Sequence, residues 1–197
     1  MLNKISQLSF FPKTYTTKNN QSIVIRQAVS DDAEPLLKLK LAYLKDTATL
    51  PLFANEYPND IDQEREMIQR YQSEKNSIIL AAISENTIIG NLDLTGSWRK
   101  KMQHTGVIGM GVHTKWQNQG IGSLLLQSVL SWAQENQLLK VIWLEVYANN
   151  SPGVALYKKM KFIQSGVLPN FFMEKGVYID KIIMSREVNQ AQKPLNK

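Results

Sequence analysis

Val112-His113-Thr114-Lys115-Trp116-Gln117-Asn118-Gln119-Gly120-Ile121-Gly122-Ser123 is the stretch on which the reading of this chain turns. Val107 to Val112 leads into it as a strand, and Ile121, Leu124, Leu125, Val129 and Trp132 follow at helical spacing, which predicts a helix over 121–136. Two closely spaced glycines at such a junction expose backbone N–H groups at a helix N-terminus, where the aligned peptide dipoles add about half a positive charge. That arrangement suits a phosphate. No Gly-Lys-Ser/Thr follows, as a Walker loop requires, and Leu125 stands where a dinucleotide loop has its third glycine. Two glycines can also do no more than shape a tight turn, so the rest of the chain has to decide.

Working outward, Ser22 to Ala28 has the β-branched character of a strand. Ser30-Asp31-Asp32 then caps a helix whose apolar positions are Leu36, Leu37, Leu39, Tyr43 and Leu44. A Pro- and Asn-containing loop, 51–59, leads to a second, partly exposed helix from Ile61 to Lys75. Ile78 to Ile83 and Thr87 to Leu94, separated by Ser84-Glu85-Asn86, read as a hairpin. Beyond the glycine loop come a buried strand from Val141 to Tyr147, a short helix over 155–160, and strands over 162–167 and 177–184. The order predicts an α/β chain with one central mixed sheet flanked by helices. The first 21 residues are polar with little periodicity and read as a loosely docked extension; the folded domain is expected over 22–186, with 187–197 as a polar tail.

Composition removes several chemistries. There are no cysteines and two histidines, His104 and His113, so neither a thiolate nucleophile nor a metal cluster is expected. No apolar run approaches the roughly 18 to 20 residues that cross a bilayer, and the first residues lack a secretory pattern, so a cytoplasmic protein without membrane association is expected. The net charge of +6 suits an anionic partner. Its densest cluster, Arg99-Lys100-Lys101, sits in a turn rather than on a helix with interleaved aromatics, so no nucleic-acid partner is expected.

The loop resembles that of the GNAT acetyltransferase superfamily, Gln/Arg-x-x-Gly-x-Gly/Ala directly after a strand; Gln117, Gly120 and Gly122 match it. A second segment, Leu144 to Phe162 (LEVYANNSPGVALYKKMKF), is similar to the family's later motif, with Asn150, Leu156, Tyr157 and Phe162 in register. It departs at Gly153, where the family usually has Ala, and at Lys161, where it usually has Gly; a left-handed Lys161 would cost on the order of 1 kcal/mol.

The resemblance implies a mostly antiparallel sheet, acetyl-CoA as co-substrate and transfer of its acetyl group to a primary amine by direct attack in a ternary complex. A non-catalytic acyl-CoA-binding module is the alternative. By the same resemblance, Gln117, Asn118, Gln119, Gly120, Ile121, Gly122 and Ser123 hold the pyrophosphate, main-chain groups of Met110, Gly111 and Val112 take the pantetheine arm, and Asn150 contacts that arm or orders its turn. Edge strands near the C-terminus can pair into a homodimer in this family.

The chemistry needs a base and an acid. Deprotonating a lysine-like amine at pH 7 costs roughly 4.6 kcal/mol, and the departing thiolate takes up a proton. Tyr157, beside the sulfur in the family, is the candidate acid. Glu145 is the candidate base by similarity to the ribosomal-protein N-terminal acetyltransferases, with Asp93 and Tyr147 as alternatives. The acceptor side is assigned by analogy to Tyr43 to Tyr71, including Phe53 and Tyr57.

Overall fold

Ile142, Leu144 and Val146 enter the core on one side of their strand, which leaves Trp143, Glu145 and Tyr147 for the other, the alternation that lets one strand serve two layers. In the computed structural model, which describes residues 8–188, this strand belongs to an eight-stranded sheet. The strands are β1 (Lys13–Thr16), β2 (Ser22–Gln27), β3 (Ile78–Ser84), β4 (Thr87–Gly96), β5 (Thr105–Val112), β6 (Val141–Tyr147), β7 (Ile163–Glu174) and β8 (Val177–Glu187). Their order is β1-β2-β3-β4-β5-β6-β8-β7, and every neighbouring pair is antiparallel except β5–β6. This is the mixed, mostly antiparallel sheet expected.

Helices cover both faces. α1 (Ala33–Asp46) and α2 (Ile61–Ser73) bury Leu36, Leu39, Ile68 and Tyr71 against Ile79 and Ala81. On the opposite face α3 (Ile121–Glu135) sets Leu125, Leu126, Val129 and Trp132 against Leu80, Leu92, Leu94 and Leu144, and α4 (Ser151–Lys159) adds Val154, Leu156 and Tyr157 at the margin. α3 is the crossover that a parallel β5–β6 pair requires.

Three elements depart from the sequence reading. Residues 13–16, placed in a loosely docked segment, form edge strand β1 on β2, and the segment is tied to α3 as well: Tyr15 bonds Ser128 at 3.1 Å, and Trp132 Nε1 donates to the Leu8 carbonyl at 3.0 Å. A four-residue polar strand leaves no periodicity to detect; its order comes from its neighbours. β7 runs twelve residues instead of six, continuing through Pro169-Asn170 to Glu174. An edge strand tolerates such a proline, and the register slips there, with Asn170 left-handed and its N–H donating to Asp180. α4 begins at Ser151 rather than 155, because Asn150 caps it through a bond from the Gly153 amide. Residues 1–7 and 189–197, the ends of the expected extension and tail, lie outside the described residues.

Candidate active site

β5 and β6 pair over only three positions, Thr105↔Val141, Gly106↔Ile142 and Val107↔Trp143, although β5 continues to Val112 and β6 to Tyr147. Beyond Val107 the two strands part. The outer halves therefore leave an interstrand cleft flanked by main-chain groups, and Met110, Gly111 and Val112 all lie on its β5 side.

The glycine loop stands at the end of that cleft. His113 Nδ1 accepts from the Lys115 amide at 3.2 Å and so shapes the 3-10 turn Thr114–Trp116; Gln117 Nε2 donates to the Val112 carbonyl at 3.1 Å. Asn118 and Gly120 both take left-handed conformations, φ 61° and 93°. None of the backbone N–H groups from Asn118 to Ser123 has an acceptor among the described residues, and no side chain caps α3. Six successive donors at a helix N-terminus make an anion cradle. A Cβ on Gly120 would meet nothing within 4 Å, so that glycine is needed for its dihedrals rather than for space. Gly122 is different: a Cβ there would sit 3.2 Å from Leu156 and 3.4 Å from Met110, so this residue is where α3, α4 and β5 converge. The Gln119 carbonyl accepts from the Lys18 amide at 3.4 Å, joining the β1–β2 turn to the loop.

Tyr157 lies half-buried on α4, edge-on to Phe162, and burial pushes its phenol up to about 12. It stays protonated at neutral pH and can donate. Asn150 spends its Oδ1 on the α4 cap, the turn-ordering role of the two expected. Lys161 does adopt the left-handed cap, φ 63°.

The face toward α1 and α2 is built from side chains. Glu145 is exposed and ion-paired with Lys181 at 2.9 Å, and that lysine lies 3.3 Å over the Phe171 ring. Tyr147 stacks on Phe172 with centroids 3.7 Å apart and donates to the Leu50 carbonyl at 3.4 Å, holding the 47–60 loop against β6. Asp93 on β4 stands opposite Gly109 on β5, and a Cβ on Gly109 would lie 2.8 Å from its Oδ2, so the carboxylate extends across β5. Next to it Tyr43 occupies the space above Gly111. Burial raises Asp93 to about 6, with Lys40 and the amides of Asp93 and Gly109 pulling it down and Glu64 pushing it up.

Lys40 and Glu64 were not singled out from the sequence. They form a buried pair at 2.8 Å closed by Tyr57, whose hydroxyl donates to Glu64 at 2.8 Å and accepts from Lys40 at 3.0 Å. Charged residues on two mixed-charge helices read as solvated faces; only the packing of α1 on α2 turns these two inward. Asn91, two residues before Asp93, is 1% exposed with neither side-chain atom in hydrogen-bonding geometry, although its amide is near enough to Tyr43 to lower that phenol's pKa against the rise caused by burial.

Comparison with known proteins bears on this arrangement. The profile of the Acetyltransferase (GNAT) family matches residues 44–162, more than half of the chain. The chain belongs to the GNAT family. Its curated relatives include the L-amino acid N-acetyltransferase AaaT of Escherichia coli K12, 26% identical over 107 residues that cover 54% of this chain and 66% of that protein. The match thus spans just under two thirds of that relative's length. A GNAT-family acetyltransferase of Streptococcus pneumoniae superposes with a TM-score of 0.82 at 26% identity, covering 85% of this chain and 99% of the other. The fold is shared as well with yncA of Salmonella typhimurium, solved with its cofactor acetyl-CoA: TM-score 0.76, 18% identity, 89% of this chain and 99% of that one. Both GNAT motifs read in the sequence lie wholly inside the matched span. Among the described residues no helix is long and apolar enough to cross a membrane.

Proposed function

We propose that this protein is an acetyl-CoA-dependent N-acetyltransferase that acylates a primary amine by direct attack in a ternary complex. The observation that carries the reading is the coincidence of the parted β5–β6 cleft with the six unengaged amides of 118–123 at its end. A long thioester with a pyrophosphate at its far end matches both halves: anionic oxygens on the amides and the Ser123 hydroxyl, and an amide-rich arm along Met110 to Val112. A Cβ at Gly122 would press on Leu156 at 3.2 Å and Met110 at 3.4 Å, so the junction is closely packed.

The reaction asks four things of the chain. It must bind the thioester, orient the amine, supply a donor to the tetrahedral oxygen and see protons off and on. In this reading the oxyanion donor is a backbone N–H near Val112. Tyr157, its proton retained by burial, gives it to the departing sulfur and recovers one from the attacking nitrogen. Of the carboxylates on the acceptor face, Glu145 would have to leave Lys181 to act as a base. AaaT is by name an amino acid acetyltransferase, which makes small primary amines the first acceptors to try.

The test is thermal unfolding with and without acetyl-CoA, with ATP and dephospho-CoA as controls. At ligand near 100 times its Kd, linkage gives about 2.7 kcal/mol of stabilisation, a rise in Tm of several degrees. No rise at millimolar acetyl-CoA would overturn the reading. A rise without thiol release for any amine would replace it with a non-catalytic acyl-CoA-binding module.

A further inference from the structure

The turn that joins β4 to β5, residues 97–104, reads Ser-Trp-Arg-Lys-Lys-Met-Gln-His, three consecutive cations and no acid. Trp98 is 85% exposed, more than any other large apolar residue among those described, and Arg99 lies over its ring, 5.5 Å from the centroid. Met102 is exposed as well. Yet the turn is pinned. Buried Asn76 donates its Nδ2 to the Ser97 carbonyl at 3.2 Å and to the Gln103 carbonyl at 3.0 Å, and the amides of Met102 and Thr105 donate to the carbonyls of Arg99 and Met102, each at 2.8 Å. A tryptophan held out in this way contributes nothing to the core, whereas Trp132 is buried with its Nε1 bonded. Two further exposed cations adjoin the turn: Lys75 precedes Asn76, and the Lys140 amide donates to the His104 carbonyl at 2.8 Å. Of the acids in the neighbouring segments, Glu74 is paired with Arg70 at 3.8 Å, and Glu135 and Glu187 lie outside the turn. Thr105 begins β5 and Val112 ends it, so the turn lies about 23 Å from the glycine loop, at the end of the sheet where β5 and β6 are still paired.

We propose that the β4–β5 turn docks this protein on an anionic bilayer surface, with Trp98 and Met102 among the lipid headgroups and the turn's cations, joined by Lys75 and Lys140, against their negative charges. Charge and apolar surface stand together on one convex tip, and a headgroup layer over hydrocarbon meets both at once: cations stay in the anionic layer while an amphipathic indole sits at its boundary. A nucleic acid fits less well. The turn by itself would meet three phosphates, and Arg99 already lies over the ring on which a base would stack. The expectation of no membrane association rests on spans and leader patterns, which a peripheral contact does not need. Docking by this end leaves the parted half of the β5–β6 cleft and the glycine loop turned away from the bilayer, open to soluble substrates. The inference is independent of the transfer chemistry.

The test is co-sedimentation of the full chain with vesicles of phosphatidylcholine containing roughly one third phosphatidylserine, and with phosphatidylcholine alone, at low and at physiological salt. Wild type should sediment with the anionic vesicles only, more weakly as salt rises, and its tryptophan emission should shift to the blue. Replacing Arg99, Lys100 and Lys101 together by Gln should weaken that binding on the order of 10²-fold, about fivefold per cation. Trp98→Ala should remove the blue shift and leave a weaker, salt-sensitive affinity. The control removes three exposed cations elsewhere, Lys38→Gln, Lys45→Gln and Lys175→Gln, and should lose far less. All the replaced side chains are exposed, so a Tm equal to that of wild type checks that each variant is folded. Wild type that stays in the supernatant at low salt overturns the proposal, as do equal losses in the two triple variants or a blue shift that survives Trp98→Ala. Displacement of the vesicles by polyuridylate at equal phosphate concentration overturns it in favour of a nucleic acid.

Discussion

The two faces of the sheet meet at the β5–β6 cleft and are made differently. Toward α3 the site consists of backbone: amides at a helix N-terminus, two left-handed residues, and a glycine that keeps three elements in contact. Toward α1 and α2 it consists of titratable side chains brought from four separate segments, Lys40, Tyr57, Glu64 and Asp93. The backbone side depends on local dihedrals and so tolerates many side chains but few backbone changes. The side-chain side depends on charge balance in a poorly solvated layer, and any one group answers for its neighbours.

The strongest way to break that comparison is Lys40→Ala. It strands Glu64, 2% exposed, without its cation and should cost about 3–5 kcal/mol in denaturant unfolding. Replacing both partners by apolar residues of similar volume should restore most of the loss. A negligible cost for the single variant would mean the pair is solvated and the face is not a low-dielectric layer.

Next is the pH dependence that Asp93 imposes. Its folded pKa of about 6 lies above the unfolded value of 3.8, so the carboxyl form favours folding, fully so below the unfolded pKa. That advantage is lost as pH rises from about 4 through 6, at about 1.4 kcal/mol per unit of pKa difference. Asp93→Asn should thus be more stable than wild type by about 3 kcal/mol at pH 7.5. The two should converge near pH 4; parallel curves would place Asp93 in solvent.

Gly120→Val sharpens the backbone side. Because a Cβ there meets nothing, the expected loss comes from forcing a β-branched residue to φ 93°, on the order of 1–3 kcal/mol. We expect this chiefly as weaker acetyl-CoA binding by calorimetry, with the Tm of the free protein falling less. Equal losses in both would tie the loop to stability rather than to the ligand.

The smallest effect is assigned to Tyr157→Phe, roughly tenfold in kcat with acetyl-CoA affinity unchanged. It lies below the usual 10²–10⁴ for acid–base catalysis because a thiolate with pKa near 8.5 leaves without full protonation. An unchanged kcat with chemistry rate-limiting would remove Tyr157 from the proton path.

Legibility followed the same division. The α3 face could be read along the chain because an amide cradle is contiguous: Gln117 to Ser123 lie next to one another in sequence and in space, and the α4 motif enters at a fixed interval. Strand β6 was read to the residue, since its period-two alternation survives any neighbour. Strand β1 and the second half of β7 were not, because an edge strand owes its order to its one partner and to side-chain bonds such as Tyr15 to Ser128. Asp93 was read only as one alternative among several, and Lys40 and Glu64 not at all.

By itself, then, the sequence determined the mixed sheet, the strand-to-helix loop and the family, because each is written in local spacing: 2.0 and 3.6 residue periods, and glycines where a left-handed turn is required. Only the tertiary structure decided which charges are buried, which carboxylate is paired and which is not, and where the sheet opens. Those are properties of residues far apart in the chain, Lys40 and Glu64 by 24 positions and Lys40 and Asp93 by 53, and the energy of a charge is set by what surrounds it in space rather than by what precedes it in the chain.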